Sequence, residues 1–247
     1  MDKNKFSVKP VPTKNNKRNN KRNKHIPENL PCVPLQIQIL SPTRSGKSTL
    51  TVRLIEQIYA KAHDEVLILS NTIAHDETYY PLKKLNNVSV HDVRISPIDN
   101  TLLEAIWERQ EQVVKKDPSK SLLLVLDDLS NTFKSKAMVS QIKRYVQLCR
   151  HINISLIMIS QSLINLSTEM VGQCRTWMIF KLNRRDTRKV AESLASAQKD
   201  KDELEEWLTR NTKKRYSFAM IDLTAAEDDL VYQAYDPDTN SFHSGEE

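Results

Sequence analysis

From Leu35 onward, short apolar runs alternate with stretches in which apolar residues recur every three or four positions. Six runs have the length and composition of strands: 35–40, 66–70, 122–126, 154–160, 177–182 and 216–223. Between them, 47–62 sets Leu50, Leu54, Ile55 and Ile58 on one helical face, and 101–116 does the same with Leu102, Leu103, Ile106 and Val113. Helices are also predicted at 136–150 and 187–197, whereas 79–96 is ambiguous apart from a short candidate strand at 88–90. Strand and helix in alternation predict an α/β domain: a mostly parallel central sheet flanked by helices.

The flanks read differently. Residues 1–34 are rich in Lys, Arg, Asn and Pro and poor in large apolar side chains, so they cannot bury enough surface to offset their ordering entropy. A disordered basic tail is expected there, and its KNNKRNNKRNK stretch suits nucleic acid, a localisation receptor or an acidic partner as well as simple solubilisation. After Thr224 the chain turns acidic and then polar, which predicts a loose tail over 225–247 and leaves 35–224 as the folded domain.

Charge sharpens this division. The net charge is +6, yet residues 1–24 hold nine Lys or Arg against one acid, and the remainder holds 28 basic and 30 acidic residues. Basic character therefore belongs to the tail and not to the fold. No apolar run approaches the roughly 20 residues of a bilayer span, so membrane insertion is not expected. Residues 1–24 also lack the apolar core of a secretory signal, which predicts an intracellular protein. The three cysteines, Cys32, Cys149 and Cys174, form no CxxC pair and read as inert thiols.

The candidate chemistry lies where strands end. The first strand runs into Ser41-Pro42-Thr43-Arg44-Ser45-Gly46-Lys47-Ser48-Thr49 and then directly into a helix, the order of a P-loop. Backbone N–H groups of such a loop and helix start surround phosphates, because they lack intrahelical partners and sit at the positive end of the helix dipole. Lys47 is placed to reach the β- and γ-phosphates of ATP and Ser48 to hold Mg²⁺. Ser41 stands where the usual pattern has its first glycine, so the loop needs either an allowed backbone angle there or a different shape. The run Leu122–Leu126 ends in Asp127 and Asp128: the first is expected to bind the magnesium shell, the second to orient or deprotonate the attacking water. A plain helix N-cap is the bland alternative for these acids. The strand 154–160 ends at Gln161, a candidate γ-phosphate sensor or a structural polar residue.

With SPTRSGKST, LLLVLDDLS and HINISLIMISQS followed by CRTWMIFKLNRRDTRK, the chain resembles the FtsK–HerA class of ATPases, and within it the genome-packaging ATPases of large eukaryotic DNA viruses and virophages. The resemblance implies a RecA-like P-loop core and a homo-oligomeric ring that drives double-stranded DNA into a capsid, working in host cytoplasm or a virus factory or with the virion. It also implies an arginine supplied to the neighbouring subunit's γ-phosphate. Arg175 is the first candidate and Arg188 the second, with Arg184 and Arg185 close by. A nucleotide kinase, and a nonhydrolysing DNA-binding or scaffold protein with a relic phosphate loop, are the alternatives. A GTPase lacks support, since Asn183-Arg184-Arg185-Asp186 has no lysine at the guanine-reading position.

Overall fold

Apolar runs that stay buried on both faces need helices above and below them, and the computed structural model has this arrangement over the residues it describes: 21–73, 76–95, 98–128, 136–162, 174–195, 199–223 and 231–244. The strands are β1 (Gln36–Leu40), β2 (Glu65–Ser70), β3 (Val88–Asp92), β4 (Leu122–Asp127), β5 (Ile154–Ser160), β6 (Thr176–Phe180), β7 (Phe218–Asp222), β8 (Val231–Asp236) and β9 (Ser241–His243). They form one sheet in the order β3-β2-β4-β5-β1-β6-β7-β8-β9. Pairing is parallel from β3 through β6 and antiparallel from β6 to β9.

The two faces are covered unequally. Alternate residues such as Leu124, Leu156 and Trp177 pack under α2 (Asn100–Lys116), α3 (Lys136–Leu148), α4 (Arg184–Leu194) and α5 (Lys201–Asn211). The opposite set, including Ile39, Val125 and Ile157, packs under α1 (Lys47–Arg53), which continues through wide π-type turns at Leu54–Tyr59 into Ala60–Ala62. Among the described residues no helix is long and apolar enough to cross a membrane.

Three features depart from the sequence reading. Residues 21–34, assigned to the tail, pack on the domain: Ile26 and Val33 are buried, Tyr59 donates to the Pro31 carbonyl at 3.1 Å, and Arg22 pairs with Asp64 at 2.8 Å. A few apolar residues anchored by directed hydrogen bonds offset the ordering cost, which average composition cannot reveal. Residues 1–20 of the expected tail lie outside the described residues. The segment assigned to a loose C-terminal tail instead supplies β8 and β9, because Tyr235 and Phe242 join Phe218 in an aromatic cluster that anchors the hairpin. Helix α5 is a further element beyond those expected from periodicity, although its signals are present: Leu204, Trp207 and Leu208 on one face, and a capping box from Asp200 and Glu203.

A buried histidine ties α1 to β5. The Leu35 N–H donates to Ser155 Oγ at 3.2 Å, the Ser155 hydroxyl to His63 Nε2 at 2.7 Å, and His63 Nδ1–H to the Tyr59 carbonyl at 2.8 Å. These directions are those of the neutral ring, which burial favours by pushing the imidazole down to about 4, against the Tyr59 hydrogen bond that favours the charged form. An unfolded histidine titrates near 6.5, so between these values the unfolded chain binds the extra proton. His63 therefore makes stability fall as pH drops from about 6.5 toward 4, by about 3 kcal/mol over that window. Denaturant titrations at pH 7 and pH 4.5 are expected to show a smaller loss in His63→Gln than in the unsubstituted protein; equal losses would remove His63 as the cause.

Candidate active site

The parallel strands all point their carboxyl ends to one edge, and the register aligns Leu40 with Ser160 and Asp127 with Ile159. Ladder bonds continue beyond the strands: Ser41 N donates to the Ser160 carbonyl at 3.0 Å and Asp128 N to the Ile159 carbonyl at 3.1 Å. The phosphate loop, the acid pair and Gln161 are thereby brought together.

Within the loop, left-handed backbone occurs at Arg44 (φ 63°) and Gly46 (φ 103°) but not at Ser41. This settles how serine replaces the first glycine. The turn is taken further along, while buried Ser41 bonds through its hydroxyl to Ser45 and to the Pro42 carbonyl. Gly46 begins α1 and accepts the Leu50 N–H at 2.9 Å; a Cβ there would stand 3.1 Å from the Tyr216 ring. Having no side chain, Gly46 leaves the first N–H groups of α1 uncapped, a helix start suited to phosphate. Thr43 Oγ1 donates to Gln161 Oε1 at 3.1 Å, linking the loop to the end of β5.

The two acids occupy different surroundings. Asp127 is buried, and its Oδ2 accepts from Ser70 Oγ (2.8 Å), Tyr79 Oη (2.9 Å) and Thr72 Oγ1 (3.3 Å). Burial pushes its carboxyl up, against these donors and the Lys47 charge. Among the described residues nothing donates to Asp127 Oδ1. A buried carboxylate oxygen without a donor is the partner a hydrated cation needs, so Ser48 and Asp127 fit Mg²⁺. Asp128 turns off the strand at φ 55°, accepts from Gln161 Nε2 at 2.6 Å and lies 3.8 Å from Lys47 Nζ. It is thus separate from the buried acid and held at the loop.

With this geometry in place, the sequence pattern of one protein family, described as Poxvirus A32 protein, matches residues 22–240. The chain belongs to this family. Solved structures sharing its fold include B204, the DNA-packaging ATPase from Sulfolobus Turreted Icosahedral Virus. That match has a TM-score of 0.59 at 17% identity, covering 85% of this chain and 96% of that one. The genome packaging NTPase B204 from Sulfolobus turreted icosahedral virus 2, in complex with ATPγS, gives 0.54 at 16% identity over 85% and 96%. EssC from Geobacillus thermodenitrificans gives 0.52 at 13% identity over 64% of this chain and 34% of that one. No curated protein sequence matches the chain.

Other positions in this A32-family chain separate into those at the site and those away from it. Arg175 precedes β6, whose Thr176 pairs with Ile37, so it stands at the opposite edge of the sheet from its own phosphate loop. It lines a cleft with Cys32 and Arg150. Arg188 is exposed on α4 and pairs with Glu192 at 3.3 Å; Arg184 and Arg185, also exposed, open that helix beyond the carboxyl end of β6. Neither Arg175 nor Arg188 contacts the site within its own chain among the contacts described.

The structure also adds residues that sequence reasoning missed. Asp76 caps the short helix Glu77–Lys84 through Thr78 N at 3.0 Å. Burial acts to raise the Asp76 carboxyl, but hydrogen bonds from Thr78 and Ser48 and the Lys47 charge hold it below the usual range. Tyr79 is buried, and burial together with Asp127 pushes its phenol up, so it remains a donor. The Glu77–Lys84 segment carries no clear periodicity. Ser70, by contrast, ends an apolar strand in the manner of Ser160, a signal that was available.

Tyr79→Phe keeps the ring and removes one of three donors to Asp127. Since a hydrogen bond to a charged group is worth roughly 1.5–3 kcal/mol, Mg²⁺-dependent nucleotide affinity is expected to fall about 10-fold or more. The bond is present without ligand too, so the melting temperature should fall by several degrees while the fold is retained. Titration of nucleotide at several Mg²⁺ concentrations checks this, and an unchanged Mg²⁺ dependence counts against the role.

Proposed function

We propose that the protein is the ATP-hydrolysing motor of viral genome packaging, a homo-oligomeric ring that moves double-stranded DNA into a capsid inside an infected cell. The observation that carries this reading is the meeting of Lys47, Ser48, Asp127, Asp128 and Gln161 at one sheet edge of an A32-family chain. B204 from Sulfolobus Turreted Icosahedral Virus, which shares the fold, is a DNA-packaging ATPase, and the B204 NTPase of virus 2 has been solved with ATPγS and AMPPCP, which supports ATP as the nucleotide. No observation favours a kinase or a relic scaffold.

In this reading residues 41–49 wrap the phosphates with backbone N–H groups, and Lys47 neutralises charge that develops on the transferred phosphoryl group. Ser48 and Asp127 would hold Mg²⁺, which would supply Lewis-acid stabilisation of phosphate charge. Asp128 takes a proton from the water whose oxygen attacks the γ-phosphorus, and ADP leaves. Gln161 contacts both Asp128 and Thr43, so it can relay the γ-phosphate's presence from the acid to the loop. Capsid proteins are the further partners this role implies.

Hydrolysis by the full chain is expected to rise when double-stranded DNA is added, and Lys47→Ala to lose nearly all turnover while retaining the fold. Turnover that depends on Lys47 yet ignores DNA would mark a nucleotidase without motor function.

Arginine supply between subunits is testable by mixing. An arginine finger contributes about 10³–10⁵ in turnover, so activity per subunit should rise with protein concentration. Mixing Asp128→Asn with Arg175→Ala, or with Arg188→Ala, should restore part of the activity for whichever arginine acts in trans. Flat activity on dilution, with neither arginine mattering, would favour a monomeric enzyme.

A further inference from the structure

The triphosphate-binding parts are asymmetric about β1. On one side of it lie β5 and β4, with Gln161, Asp127 and Asp128; on the other lie β6, β7, β8 and β9. A triphosphate laid across the tip of β1 with its γ end at the acids must send its nucleoside toward β6–β9. A cavity of about 610 Å³ lies there, with Gly46 and Thr49 among its lining residues. Its volume falls within the ~300–1,000 Å³ of small-molecule sites.

Its walls have the chemistry of a base pocket. Phe180, Phe218, Tyr235 and Phe242 form a connected ring cluster, with Phe218 and Tyr235 stacked at 4.8 Å between centroids. Tyr216 differs from them: it is 45% exposed, adopts the left-handed backbone at φ 67°, and sets its ring edge beside Gly46. A bulky residue is rarely held at such an angle, and here the result is an aromatic ring beside the phosphate loop. Arg53, Gln57 and Asn240 give the cavity polar groups, with Asn240 accepting from the Tyr235 phenol at 2.8 Å.

We propose that this cavity binds the base and ribose of the nucleoside triphosphate, with Tyr216 stacking on the base and the β8–β9 hairpin forming the outer wall. The assignment rests on the reading of residues 41–49 as a triphosphate loop. It makes Tyr216 a determinant of nucleotide affinity and gives the C-terminal hairpin a binding role.

Inorganic tripolyphosphate carries the phosphates without the nucleoside, so calorimetric titration of the full chain with Mg²⁺-ATP and Mg²⁺-tripolyphosphate separates the two parts of the site. The unsubstituted protein should bind ATP the more tightly. Tyr216→Ala should weaken ATP roughly 10- to 100-fold, the scale of one aromatic–base stack, and leave tripolyphosphate affinity unchanged, which also reports an intact fold. Tyr216→Phe should retain ATP affinity. Independently of any variant, photolabelling of the unsubstituted chain with 8-azido-ATP should mark Tyr216 or residues 235–242. Equal effects of Tyr216→Ala on both ligands, or a label placed outside the β6–β9 side, would overturn the proposal, and so would a neighbouring subunit filling the cavity and excluding the label. If tripolyphosphate binds as tightly as ATP, the pocket assignment falls and the phosphate loop stands. If neither binds, the loop reading fails and the pocket falls with it.

Discussion

Two consecutive carbonyls at the end of β5, those of Ile159 and Ser160, hold the acid turn on one side and the phosphate loop on the other. These are backbone bonds, and they fix the relative height of the two loops whatever side chains the loops carry. Since β5 is buried along its whole length, it cannot slide without exposing apolar surface and leaving backbone groups unpaired. The site is therefore positioned by the register of its sheet, and side chains only refine it.

Asp127 shows that refinement at its most demanding. A carboxylate buried at the end of an apolar strand is unfavourable unless donors surround it, and three hydroxyls from β2 and the segment after it do so on one oxygen. Leaving the second oxygen without a donor keeps a residual desolvation penalty, one that a bound cation would relieve. Asp128, one residue on, is freed from the strand by its left-handed backbone, so adjacent identical side chains have unlike surroundings. A single turn thus gives two neighbouring acids separate environments.

The central architecture was legible because parallel strands buried on both faces write continuous apolar runs, and the residues that stop those runs lie at the functional edge. Asp127, Asp128 and Gln161 stand where such runs stop, and Lys47 and Ser48 follow from the phosphate-loop spacing after the first run. Periodicity could not find Tyr79 or Asp76, which act from a short irregular helix whose position depends on contacts distant in sequence. The same limit applies to β8 and β9: their polar, acidic surroundings hide two aromatic residues whose partner, Phe218, lies in another strand. Composition averages over a segment, whereas packing depends on which few residues meet.

The position of β1 bears on how the chain is made. It comes first among the strands, yet its neighbours in the sheet are β5 and β6, more than a hundred residues later. Until Ser160 has been synthesised, this fully buried strand has no edge to pair with, and β2, β3 and β4 can associate only beside an empty place. Long-range parallel pairing of this kind is slow and leaves apolar edges open during synthesis. A nascent chain that has not reached Ser160 thus holds β1 without either of its sheet neighbours, so the order of synthesis runs against the order of assembly.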